Sequence, residues 1–122
     1  MRISLTMKVL LSDSNLITSS KVGSILKSKG LEVLSATSWK KAKELIEDNP
    51  DVEVAVINLE GMRGIEVLEG VKKEFPGIKV IAYCGHKNIH LQQKARELGA
   101  EAVVPNSVIV TQVVDIISQL TS

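Results

Sequence analysis

Four short polar clusters hold most of the residues in this chain that could do chemistry. Ser12-Asp13-Ser14-Asn15, Asn58-Leu59-Glu60-Gly61, Cys84-Gly85-His86 and Pro105-Asn106-Ser107 each follow directly on a run of aliphatic residues. A carboxylate such as Asp13 can hold a hard cation, and the plainer reading is a side chain bonded to its own loop amides. A lone thiol such as Cys84 can sense oxidants, but a single cysteine is more often a small buried hydrophobe. Cys84, His86 and His90 could converge on a metal, although their spacing matches no recognised zinc pattern. The first cluster lacks glycine, so its backbone cannot close on a pyrophosphate as dinucleotide fingerprints and P-loops require. No Gly-x-Ser-x-Gly elbow and no paired acid and base are present, which leaves a hydrolase or transferase the most remote reading.

The clusters need elements to position them. Val9-Leu10-Leu11, Val33-Leu34, Val54-Ala55-Val56-Ile57, Val80-Ile81-Ala82-Tyr83 and Ala102-Val103-Val104 are continuous apolar runs, as strands buried on both faces of a parallel sheet should be. Between them lie segments with helical apolar spacing. Ile17, Val22, Ile25 and Leu26 lead to a stop at Gly30; Ser38 caps a helix carrying Ala42, Leu45 and Ile46 that ends at Pro50. Ile65, Leu68, Val71 and Phe75 end at Pro76-Gly77, Leu91, Ala95 and Leu98 end at Gly99, and a last helix runs from about Ser107 to Leu120. Five strand–helix repeats predict an α/β fold, a (βα)5 doubly wound parallel five-stranded sheet in a flavodoxin-like three-layer sandwich. In such sheets ligands bind beyond the carboxyl ends of the strands, where all four polar clusters fall.

Composition narrows the classes. The 122 residues suit one domain, with 44% hydrophobic and 24% charged residues. One Trp, one Tyr and one Phe argue against a base-stacking platform, and a net charge of +1 argues against nucleic acid as a partner. One cysteine excludes an intrachain disulfide framework. No apolar run approaches the roughly 18–20 residues that span a bilayer, and no signal peptide is visible, so a cytoplasmic protein without a membrane partner is expected. Residues 1–6 are a leader, a strand extension or an upstream start before Met7; 7–122 form the domain.

Several of these residues together resemble the receiver domain of two-component response regulators. The order Lys8-Val9-Leu10-Leu11-Ser12-Asp13-Ser14-Asn15, Val56-Ile57-Asn58-Leu59, Gly61-Met62-Arg63-Gly64-Ile65-Glu66-Val67-Leu68 and Gly99-Ala100-Glu101-Ala102-Val103-Val104-Pro105-Asn106 carries the likeness, which covers about residues 7–120. The resemblance implies a CheY-like fold and a phosphorelay role. It also implies an aspartate nucleophile ending strand three, acids after strand one that hold Mg²⁺, a hydroxyl after strand four and a lysine after strand five.

This sequence departs from that set throughout. Asn58 stands at the nucleophile position, and a neutral amide cannot form an acyl phosphate. The acidic pair is reduced to Asp13 followed by Ser14, the hydroxyl position falls on Cys84, and the lysine position on Asn106. Ser107 replaces the proline that follows the lysine, Val103 replaces the switch aromatic, and the loop after Asn58 is shortened. The expected protein is a stand-alone, non-enzymatic pseudo-receiver that signals by protein–protein interaction without phosphorylation, and without a cofactor beyond weak Mg²⁺ at most. A divergent receiver using another acceptor, and a small-molecule or redox sensor in the strand-end crevice, are the alternatives.

The last helix suggests where a partner docks. Ile109, Val113, Ile116 and Leu120 form one apolar stripe and Val110, Val114 and Ile117 the next, a wider arc than packing on one sheet face needs. Deep burial and a partner or homodimer surface are both open readings. The family resemblance points to the fourth and fifth helices and fifth strand. Lys40, Lys41 and Lys43 beside Trp39 read as a solvated face, since Glu44, Glu47 and Asp48 follow.

Overall fold

The computed structural model describes residues 7–60 and 63–122. The leader assigned to residues 1–6, and Gly61 and Met62 of the family-like motif, lie outside the described residues. The chain alternates strands and helices as β1 (Lys8–Ser12), α1 (Leu16–Ser28), β2 (Glu32–Ser35), α2 (Trp39–Asp48), β3 (Val52–Asn58), α3 (Gly64–Glu74), β4 (Lys79–Cys84), α4 (Ile89–Glu97), β5 (Ala102–Pro105) and α5 (Asn106–Thr121). The five strands are parallel in the order β2-β1-β3-β4-β5. The doubly wound (βα)5 sandwich expected from the apolar rhythm is the fold observed. Among the described residues no helix is long and apolar enough to cross a membrane.

Continuous apolar strands have their explanation in two cores. One face of the sheet, with Leu10, Ala55, Ile57, Val80 and Ala82, packs against Ala42 and Ile46 of α2, Val67, Leu68 and Val71 of α3 and Ala95 of α4. The other face, with Val9, Leu11, Val54, Val56, Ile81 and Tyr83, packs against Val22 and Leu26 of α1 and Ile109, Val113 and Ile117 of α5. Every second residue of a central strand therefore enters a different core, and neither set can be polar. The helix ends follow local chemistry. Ser38 Oγ accepts the Lys41 N–H at 3.3 Å, and Gly30 and Gly99 take φ of 82° and 100° after α1 and α4. Lys40 and Lys41 are exposed and Lys43 pairs with Glu74 at 3.0 Å, as a solvated face requires.

The wide apolar arc on α5 resolves mainly as burial. Ile109 and Val113, for which burial and a partner surface were both open, are fully enclosed in the α1/α5 core, because α5 packs beside α1 on one face of the sheet and turns that side inward. Ile116 and Leu120 are half-buried at its rim. The stripe of four is thus not a free surface; only its second half reaches one.

Two glycines and one ion pair have opposite consequences for stability. A Cβ on Gly23, inside α1, would meet only Leu11 Cδ2 at 3.8 Å, an ordinary contact. A Cβ on Gly70, in α3, would clash with the Trp39 ring, which lies on the α3 backbone and is tilted against Phe75 at 6.2 Å. Gly23→Ala is expected to raise stability by about 0.5–1 kcal/mol, by removing the helix cost of glycine. Gly70→Ala is expected to lower it by about 1–3 kcal/mol, through overpacking. Urea unfolding of both variants measures the contrast. Glu101 accepts from Lys72 Nζ at 2.8 Å and from the Val80 N–H at 2.7 Å. Burial pushes its carboxyl upward, but these donors outweigh burial and hold it below the ordinary carboxylate value. A lowered folded value stabilises above the ordinary range and is lost as pH falls through it. Glu101→Gln should therefore cost about 1 kcal/mol near neutral pH, and unfolding curves at a series of pH values should show the difference closing in acid.

Candidate functional site

Parallel strands deliver their carboxyl ends to one edge, and that edge gathers the expected positions. Asp13 follows β1, Asn58 ends β3, Cys84 ends β4 and Asn106 begins α5. Asp13 and Asn58 are 8% and 6% exposed, so the polar groups they carry must be bonded within the protein. They are bonded to each other. Asn58 Nδ2 donates to Asp13 Oδ1 at 3.0 Å, and the backbone N–H of Asn15 donates to the same oxygen at 2.8 Å. The second oxygen, Oδ2, accepts the hydroxyl of Tyr83. Among the described residues no ammonium or guanidinium pairs with Asp13.

Tyr83 is the member that the sequence reading left unassigned. It sits one residue before the end of β4, fully buried among the side chains of the α1/α5 core. Burial, then the hydrogen bond and charge of Asp13, push its phenol far above the ordinary value, so it stays a neutral donor. The available signal was composition: the one tyrosine in the chain lies in an apolar strand, and a buried phenol must find an acceptor.

The orientation of Asn58 is set at both ends. Its Oδ1 accepts the N–H of Glu60 at 2.9 Å, which leaves the amide NH2 facing Asp13. Backbone packing confines it further. Gly64, the first residue of α3, lies so close to the Asn58 carbonyl oxygen that a Cβ could not be accommodated. Arg63 reaches that position through a left-handed φ of 67°. Arg63 and Gly64 thus bring the start of α3 against the nucleophile position.

Cys84 and Asn106 stand at the same edge with other surroundings. Cys84 Sγ contacts Asn88 O at 3.9 Å, and burial together with the nearby Glu60 carboxylate raises its thiol above the ordinary value. A raised thiol carries less thiolate, the form that oxidants attack. Glu60 accepts from Asn88 Nδ2 at 3.2 Å, tying the segment after β3 to the residue before α4. Asn106 Oδ1 is buried and accepts no hydrogen bond among the described residues, and Ser14 is exposed. His86 and His90 point to solvent-exposed positions, and among the described residues no three His, Cys, Asp or Glu side chains gather as a metal site.

A divalent cation does not fit this arrangement. Mg²⁺ requires oxygen ligands in near-octahedral order. Here both oxygens of Asp13 are engaged by protein donors, and position 58 presents N–H groups where a ligand would present lone pairs. The residues that phosphoryl transfer uses in this arrangement are also replaced. No carboxylate stands at the end of β3, and no lysine stands after β5 to stabilise a transferring group.

Residues 9–118 match the family model of the response regulator receiver domain. A cyclic di-GMP phosphodiesterase of Thermotoga maritima is 33% identical over 102 residues, and the chain spans 27% of that relative's length. Among solved structures, a CheY-like response regulator receiver domain protein from Methanospirillum hungatei is 26% identical with a TM-score of 0.77, covering 96% of this chain and 94% of its own. NtrX from Brucella abortus superposes with a TM-score of 0.81 at 21% identity, over 92% of this chain and 26% of NtrX. The chain belongs to the response regulator receiver family, as a degenerate member in which Asn58 stands where the family carries its phosphoacceptor aspartate.

Proposed function

We propose that this chain is a pseudo-receiver signalling module that acts by binding a protein partner, independently of phosphorylation. The observation that carries this reading is the bonded group at Asp13. Its carboxylate is held by Asn58, Asn15 and Tyr83, and position 58 carries an amide in place of a nucleophile. Output then depends on surface. The face formed by α4, β5 and α5 is the partner site favoured here. All four residues of the edge strand β5 are only half-buried, and Val108, Val110, Val114, Ile116 and Leu120 leave apolar area at the surface of α5.

Incubation with a small phosphodonor and Mg²⁺ is expected to leave the intact mass unchanged; an acid-stable or labile phosphoryl adduct on this chain would defeat the reading. In affinity capture, partner retention should be the same with and without phosphodonor. Val108→Glu together with Ile116→Glu should reduce it by about tenfold or more, the weight of a buried interface anchor. Retention that requires a phosphodonor, or that ignores both substitutions, counts against the proposal.

A further inference from the structure

We propose that Tyr83 and Asn58 are an internal replacement for a divalent cation, so that returning an acid to position 58 does not by itself reopen the pocket to metal. The proposal concerns the chemistry at Asp13 and does not depend on the partner reading. A cation in a buried acidic pocket does two things: it balances the carboxylate and it ties together the loops that supply its ligands. Both are done here by donors from the chain. Asp13 follows β1, Asn58 ends β3 and Tyr83 lies on β4, three neighbours in the sheet, and the two side-chain bonds link all three ends. The Asn15 N–H completes the set from the loop of Asp13 itself.

The phenol is the stronger of the two barriers. Its ring is fully buried, packed with Val9, Leu11, Ile81, Ile109 and other members of the α1/α5 core, so the hydroxyl cannot swing aside as a surface group would. An aspartate at position 58 would turn the donor against Oδ1 into a repelling acceptor. Oδ2 would remain capped by Tyr83. A cation would still have to strip a hydrogen bond from a charged acceptor before it could bind.

Mn²⁺, which shares the oxygen preference of Mg²⁺ and broadens nearby amide resonances, tests this directly. The wild-type chain, Asn58→Asp and Asn58→Asp/Tyr83→Phe are titrated with Mn²⁺, with circular dichroism as the check on folding. Localised broadening around Asp13 and position 58 should be absent in wild type. The double variant should bind Mn²⁺ at least about tenfold more tightly than Asn58→Asp, the equivalent of one charge-assisted hydrogen bond. Equal affinity of the two variants, or site-specific broadening in wild type, overturns the proposal. A measurement on the native chain stands even if the double variant does not fold. The single tyrosine should show a hydroxyl proton protected from solvent exchange, and a freely exchanging hydroxyl would also overturn it.

Discussion

A buried carboxylate must be matched by donors, and around Asp13 that requirement organises the whole functional edge. An ionised group held away from water costs several kcal/mol unless hydrogen bonds or charges compensate it. No cationic side chain pairs with it among the described residues, so neutral donors do the compensating. Asn15 gives a backbone N–H, Asn58 an amide and Tyr83 a phenol. Each donor is then held in turn. Asn15 also caps α1 through its own side chain, Asn58 is clamped by Glu60 and by the approach of Gly64, and Tyr83 is locked by its packed ring. The strand ends, the start of α1 and the start of α3 are thereby coupled to one charge.

Seen this way, the individual departures from the receiver pattern form a consistent set. Replacing aspartate by Asn58 removes a charge that would repel Asp13 and supplies a donor to it. Asn106 in place of a lysine removes the cation that would have balanced the lost nucleophile. Tyr83 adds the second donor. The pocket has exchanged several charges that need a metal for one carboxylate held by neutral donors.

The fold was readable from sequence because double-sided burial leaves a strong signal. Val54 to Ile57 and Val80 to Tyr83 are unbroken apolar runs for the same reason that both cores need them. Ser38, Gly30 and Gly99 were legible because caps and left-handed stops are local chemistry. Asn58 and Asp13 were placed correctly at the strand ends, since the parallel topology dictates that edge. Three things could not be read. The Tyr83 contact is a tertiary pairing across 70 residues of sequence. The approach of Gly64 to the Asn58 carbonyl is a backbone contact that residue types do not declare. The inward side of α5 depends on α1 covering it, and a helix apolar around most of its girth does not declare which side is covered.

The tryptophan on Gly70 has a use that reaches beyond packing. Trp39 is the only indole in the chain, and it rests directly on the α3 backbone with Phe75 beside it. Its emission is therefore a built-in optical gauge of the α2–α3 seam, with no label needed. It lies on the side of the sheet away from α1 and α5. A partner that docks on α5 without disturbing the sheet leaves the gauge silent, whereas one that levers α2 or α3 changes its colour.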